Sequence, residues 1–252
     1  MKLLTLARDL KRRKAREKHS LFVAEGIRAV EELLRSRLPT RGAIATAALT
    51  ETPRGAALRQ RLAASGCDIL DVTQKDFDTA AETDSPQGIL AIAEIPRRSL
   101  STLEVGSECR ILVLDAVQDP GNVGALIRTA AALGADATIA LPGTVDLWNP
   151  KVVRSSMGAQ FHHPALHATW EETSAFLEGQ GVEIWAADAS GEPLDTGRAF
   201  RRLAIVVGNE GSGLNPAIRA SAHKVVSLPI ATAVESLNVA VAAGIILYQL
   251  RK

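Results

Sequence analysis

Two α/β units in succession, the second built around a parallel sheet, are what this sequence predicts, and three observations carry the prediction. Strand-like and helix-like patterns alternate from residue 21 to residue 95. A stretch with Pro, Ser and Gly and little periodicity, PRRSLSTLEVGSEC (96–109), interrupts them and reads as a linker. Beyond it the apolar runs are near-continuous rather than alternating, which is how strands covered on both faces of a parallel sheet read. A chain of 252 residues can bury the core of one large α/β domain or of two smaller ones. The break divides it into 1–95 and 110–252.

Taken in order, residues 2–18 place Leu3, Ala7 and Leu10 at helical spacing and lead into a basic run. Arg8, Lys11, Arg12, Arg13, Lys14, Arg16 and Lys18 stand there against only Asp9 and Glu17. Such a run is either a solvated helix face or a phosphate-contacting patch. FVAEG then reads as a strand, IRAVEELLRSR as a helix, GAIAT as a strand and PRGAALRQRLAAS as a helix. CDILDV (strand), QKDFDTAAET (helix) and GILAIAEI (strand) complete the first unit. In the second, RILVLDAV, ATIAL, HPALHA, VEIWAAD, RLAIVVGN and KVVSLPI are the strands, and a helix starts at Asn122. LNVAVAAGIILYQL (237–250) is too short and too rich in alanine to span a membrane, so it reads as a core helix.

Composition narrows the function classes. A net charge of +1 exerts no global pull on an anion, so any affinity for nucleic acid must be local. Cys67 and Cys109 lie far apart with no CxxC or zinc spacing, which reads as a reduced, intracellular chain. The first residues lack a continuous apolar core and cleavage pattern; a cytoplasmic location is expected, with an Arg-rich organellar transit peptide as the open alternative. His162, His163 and His167 do not present a metal site, because Pro164 interrupts helical spacing and no acid stands near in sequence. No metal is expected.

Three strand ends carry chemistry-capable loops: QDPGN after ILVLDAV, GNEGSG after LAIVV and ATAVESLN after VVSLPI. Ligands of open parallel sheets sit beyond the carboxyl ends of the strands. On the helix from Asn122, Val123, Ile127 and Ala130 share one face, while Arg128 points nearly opposite, among Gly121, Gly124, Ala125 and Ala132. Arg128 is either a solvated arginine or one standing over a floor that a substrate backbone can approach. GNEGSG has the wrong spacing for a dinucleotide fingerprint and no GxxxxGK[ST] exists, which removes the main support for NAD enzymes and P-loop NTPases. Glu210 is either an exposed turn residue or a carboxylate at a ligand site. Ser236 reads as the N-cap of the last helix, with Asn238 in its first turn.

Jointly, the three loops resemble the SpoU (TrmH) family of S-adenosylmethionine-dependent RNA ribose 2'-O-methyltransferases, in the SPOUT superfamily. DPGNVGALIRTAAALGAD is similar to its first motif, LAIVVGNEGSGL to its second and VVSLPIATAVESLNVAVAAGIIL to its third, in order. WNPKVVRSSMGAQFHHP resembles the stretch between the first two. FVAEGIRAVEELL and SPQGILAIA resemble the family's small substrate-binding domain, similar to the ribosomal protein L30e fold. Ile230, Ala231 and Thr232 depart from the Met and Gly that many members carry after the third motif's proline.

The resemblance implies an L30e-like domain over 1–95 and, over 110–252, a SPOUT methyltransferase domain whose C-terminal helix threads a deep trefoil knot, an exception to unthreaded topology. It implies S-adenosylmethionine as cofactor and RNA as substrate, ribosomal first and transfer RNA second. Arg128 is implied to activate the ribose hydroxyl; since a guanidinium holds its proton, stabilising the developing oxyanion suits it better than acting as a base. Asn122, Glu210, Ser236 and Asn238 are implied to orient the arginine and nucleotide. Gly208, Leu228 and Leu237, with Ile230 and Ala187, are implied to hold the cofactor. Lys11, Arg12, Arg13, Lys14 and Arg154 are expected to contact RNA phosphates, and a homodimer is expected. The rivals are a non-catalytic RNA-binding protein and an α/β enzyme with another nucleotide cofactor.

Overall fold

The computed structural model of the chain describes residues 2–36, 38–195, 201–231 and 233–250. Thr232 of the third-motif departure lies outside them. The chain forms two compact units, Met1–Arg97 with Trp148–His162, and Arg98–Leu147 with His163–Lys252.

The first unit opens with α1 (Leu3–Asp9) and α2 (Arg13–His19), followed by β1 (Leu21–Glu25), α3 (Ile27–Ser36), β2 (Thr40–Ala45), α4 (Pro53–Ala64), β3 (Ile69–Asp71), α5 (Gln74–Asp78) and β4 (Ile89–Glu94). Its sheet runs β1-β4-β2-β3, with β4 antiparallel to both neighbours and β3 parallel to β2. The basic run is not one helix. Arg16 is buried at 3% exposure and donates to the carbonyls of Leu10 and Lys11, each at 2.7 Å, so its guanidinium closes the end of α1 and the chain restarts at Arg13. α5 stops well short of Thr83, because the Glu25 carboxylate draws the backbone amides of Glu82 and Thr83 out of helical pairing, at 2.7 and 3.3 Å.

The second unit comprises β5 (Cys109–Leu114), α6 (Pro120–Ala132) and β6 (Ala137–Ala140). The next helices, α7 (Pro150–Ser155) and α8 (Ala159–His162), belong to the first unit. β7 (Ala165–His167), α9 (Trp170–Gly179), β8 (Glu183–Pro193), β9 (Arg202–Val207), α10 (Pro216–Ser221), β10 (Lys224–Ser227) and α11 (Val239–Gln249) follow. Among the described residues the strands are ordered β10-β8-β9-β5-β6-β7, all parallel. Ile111, Val113, Ile139, Ile184 and Val206 form the core with Leu177 of α9 and Ile218 of α10, and α11 packs on α6. Leu100 and Val105, from the predicted linker, pack on this core as well.

Placing α7 and α8 in the first unit departs from the predicted boundaries, and the reason is aromatic: Phe22 of β1 lies 4.5 Å from Trp148 and 5.4 Å from Phe161, centroid to centroid. Helix starts also move. α6 begins at Pro120 rather than Asn122, with Pro at its first position and Asp119 Oδ1 accepting from the Asn122 amide at 2.8 Å. α11 is capped by Asn238, not Ser236; Asn238 Oδ1 accepts from the amides of Ala240 and Val241 at 2.9 and 3.3 Å. Asparagine matches serine as a cap, so the pattern alone did not separate them.

Candidate functional site

The site lies in the second unit, beyond the carboxyl ends of its central strands. After β5 the chain turns through Ala116 at φ 54, whose carbonyl accepts from Asn209 Nδ2 at 2.8 Å. Asn209 Oδ1 accepts from the amides of Gly211 and Ser212, each at 2.9 Å, and its backbone pairs with Gly213 in both directions. The loop after β9 is thus closed on itself. A Cβ on Gly208 would fall 2.5 Å from the Gly213 carbonyl carbon, so this close approach needs glycine.

That closed loop holds Glu210 against the start of α6. Glu210 Oε1 accepts from Asn122 Nδ2 at 2.9 Å, and the backbone amides of Asp119 and Gln118 approach the carboxylate at 3.4 Å. Asn122 Oδ1 in turn accepts from Asn238 Nδ2 at 2.9 Å. The direction of every amide follows from the chemistry: α11 commits Asn238 Oδ1 to its backbone amides, so Nδ2 faces Asn122, so the Asn122 donor faces Glu210. Burial pushes the Glu210 carboxyl up, but donation from Asn122 and from the backbone amides of Glu210, Gln118 and Asp119 outweighs it, leaving the group below its ordinary value. Glu210 is therefore an ionised acceptor at neutral pH.

Beside this relay lies a cavity of about 700 Å³. Asn122, Glu210, Ser236 and Asn238 line it, as do Gly208, Leu228, Leu237, Ile230 and Ala187. Arg128 does not; it is exposed on α6, away from the cavity wall. Lys11, Arg12, Arg13, Lys14 and Arg154 belong to the first unit. Lys11 Nζ donates to the Ala81 carbonyl at 2.7 Å, Arg12 pairs with Asp9, and Arg13 with Glu17 at 2.7 Å. Lys14 and Arg154 are exposed.

Sequence reasoning missed three positions that build or line the candidate site. Asn209 organises the loop and Asp119 caps α6; Asn209 follows Gly208 and Asp119 precedes Pro120, each an Asx residue in a turn-forming stretch after a strand, which is the signal that marks them. Asp188 lines the cavity, and its carboxyl is held below its ordinary value by the Ser190 hydroxyl and amide, with Arg219 adding to the effect. The histidines do not converge. His163 is buried with Nε2 2.9 Å from Thr138 Oγ1, whereas His162 lies 3.6 Å from Glu32.

Residues 110–248 match the model of the SpoU rRNA Methylase family, and residues 5–91 that of an MRM3-like substrate binding domain. The chain is 34% identical to the 23S rRNA (guanosine(2553)-2'-O)-methyltransferase RlmP of Bacillus subtilis, over 97% of this chain and 94% of that protein. An AdoMet-bound rRNA methyltransferase from Sinorhizobium meliloti superposes with a TM-score of 0.86 at 28% identity, covering 99% of this chain and 94% of that one. The SpoU methyltransferase AviRb from Streptomyces viridochromogenes, in complex with AdoMet, gives 0.87 at 25% identity, covering 99% and 97%. With the motifs, the parallel sheet and the matched span in agreement, the chain belongs to the SpoU rRNA methylase family.

Proposed function

We propose that this chain transfers the methyl group of S-adenosylmethionine to a ribose 2'-hydroxyl of ribosomal RNA. The observation that carries the reading is the directed Glu210–Asn122–Asn238 relay at the wall of the large cavity. A relative that acts, by its name, on 23S rRNA favours ribosomal over transfer RNA.

The cavity fits the cofactor. Its volume falls within the roughly 300–1,000 Å³ of small-molecule sites. Leu228, Ile230 and Leu237 offer apolar walls, Gly208 and Ala187 leave backbone accessible, and the anionic Asp188 suits a cationic ligand. When bound, S-adenosylmethionine supplies an electrophilic methyl group on a sulfonium. Ionised Glu210 fixes the Asn122 amide, Asn238 fixes its carbonyl, and Ser236 stands beside them to orient the nucleotide. Arg128, exposed on α6 outside the cavity, stabilises negative charge developing on the 2'-oxygen once the RNA lies over that helix, while an RNA phosphate takes the proton.

Lys11, Arg12, Arg13, Lys14 and Arg154 contact RNA phosphates from the first unit, which serves substrate recognition. The reading includes the trefoil knot, a homodimer, a cytoplasmic location and a reaction without a metal. An apolar strip between α6 and α11 supports the dimer: Val241, Ile245 and Tyr248 are exposed there beside Ala125, Ala240 and Gly244. Among the described residues no helix is long and apolar enough to cross a membrane.

Purified protein, isotope-labelled S-adenosylmethionine and unmodified ribosomal RNA test the activity, with the modified ribose mapped afterwards. Transfer to one ribose 2'-oxygen is expected. Binding of NADH without S-adenosylhomocysteine, or tight cofactor binding with no transfer to RNA, overturns the reading.

A further inference from the structure

A second cavity, of about 250 Å³, lies wholly within the first unit. Its wall joins the start of α3 (Arg28, Ala29) to the loop before β4 (Ser85, Gln87) and to Arg154 and Met157 at the end of α7. Three observations separate it from an ordinary surface dent.

The first is charge without a partner. Arg54 pairs with Glu31 and Arg59 with Asp71, and the Arg98 guanidinium donates to the His163 carbonyl. Arg28 and Arg154 are exposed beside the cavity with no hydrogen-bond or ion-pair partner among the described residues. The second is backbone strain. Met157 sits at φ 51, where a residue with a Cβ is held at a cost of about 1–2 kcal/mol. Gly158 follows at φ 88, and a Cβ there would fall 2.4 Å from that of Glu32. Two successive left-handed residues thus turn the chain where Met157 forms part of the wall. The third is that the acid in the wall is already engaged: Glu25 accepts from the Glu82 and Thr83 amides and from the Thr83 hydroxyl. Gln87 Oε1 accepts from the Ile27 amide at 2.9 Å, which leaves its Nε2 as a donor.

We propose that this cavity is a subsite for one unstacked nucleotide of the RNA substrate, other than the one that is methylated. Arg28 and Arg154 grip its phosphate as planar forks, and its base rests on Met157 and Ala29 with Gln87 at its edge. Single-stranded RNA is read in this manner, by bases splayed out of the stack into protein pockets. Met157 suits a floor that takes more than one base, because its side chain is flexible and polarisable. The inference rests on RNA being the substrate, as proposed above.

Steady-state methyl transfer by the full chain to ribosomal RNA tests it. Arg28→Gln with Arg154→Gln should raise KM for RNA about tenfold or more and leave kcat at saturating RNA within about twofold. Ser85→Trp, at an exposed position in the wall, plugs the cavity without changing charge and should raise KM similarly. Arg61→Gln, at an exposed position of α4 outside the cavity, controls for loss of general positive charge and should leave KM unchanged. A KM within about twofold of wild type for the double variant, an equal rise in Arg61→Gln, or no effect of the plug overturns the subsite. Should the wild type transfer no methyl to RNA, the activity reading fails separately. RNA affinity by fluorescence anisotropy then replaces KM, with the same outcomes for and against.

Discussion

In the proposed reaction Arg128 and Glu210 carry different electrostatic roles, and of the two only Glu210 lines the cavity. Glu210 accepts from the Asn122 side chain and from backbone amides and stays ionised, which suits it to aim Asn122 rather than to exchange a proton. Arg128 stands exposed on α6, and its truncation removes little apolar area from the core. Arg128→Ala is therefore expected to leave cofactor affinity intact while single-turnover methyl transfer falls a hundredfold or more, about 3 kcal/mol in the chemical step. Arg128→Lys should rescue poorly, since a point charge does not reproduce a planar fork. A near-wild-type rate for the alanine variant would leave Arg128 a solvated surface residue.

His163 makes a different prediction at the same scale. Burial pushes its imidazole down to about 4, with Arg98 adding to the effect, so it is neutral in the folded state at neutral pH. A histidine whose folded pKa is depressed contributes stability that is fully present above its unfolded value near 6.5 and lost as pH falls through about 4. The loss across that window is at most about 3 kcal/mol. Urea unfolding between pH 7.5 and pH 4 should show a steeper decline for wild type than for His163→Gln. Parallel declines would contradict the assignment.

At the scale of elements, the N-terminal basic run turns out to be two helices with unequal side chains. Arg16 is structural, closing α1 from beneath, so it is not offered to RNA. Lys11, Arg12 and Arg13 hold local partners that an RNA phosphate can replace at small cost, because exposed ion pairs are worth little. Replacing Lys11, Arg12, Arg13 and Lys14 by alanine should weaken RNA binding and lower the slope of log affinity against log salt by up to about 0.7–0.9 per lost phosphate contact. An unchanged slope in a salt titration would return the run to a solvated face. Arg16→Ala, by contrast, should act through stability, since it leaves the buried Leu10 carbonyl and the part-buried Lys11 carbonyl without their side-chain donor.

For the whole molecule, the exposed strip of α6 and α11 marks the surface that a second copy would cover. Val241 is 51% exposed and Tyr248 52%, which is unusual for an apolar helix otherwise packed into its unit. Val241→Asp with Ile245→Asp is expected to yield a monomer by light scattering at concentrations where wild type is a dimer. Asn122 and Asn238 line both this groove and the cavity proposed for the cofactor, so the monomer should also lose activity. A wild-type monomer with full activity would remove the dimer from the proposal.

Hydrophobic period and turn chemistry by themselves determined the two α/β units, the six strands of the second sheet and the three loops that meet at its edge. Those are local signals: a near-continuous apolar run, a Gly or Asx residue at a strand end, a proline at a helix start. The motifs placed Asn122, Glu210 and Asn238 in one family pattern. Only the tertiary structure joined them, through hydrogen bonds between groups separated by 88 and 116 residues. Tertiary structure also decided that Asn238 caps α11, that Arg16 is buried, and that the segment from Trp148 to His162 packs with β1. In each case local pattern did not hold the deciding information. An Asn and a Ser cap equally well, an arginine is buried only where acceptors meet its guanidinium, as the Leu10 and Lys11 carbonyls do, and an aromatic segment follows whichever core offers a partner; only the folded chain shows which of these holds.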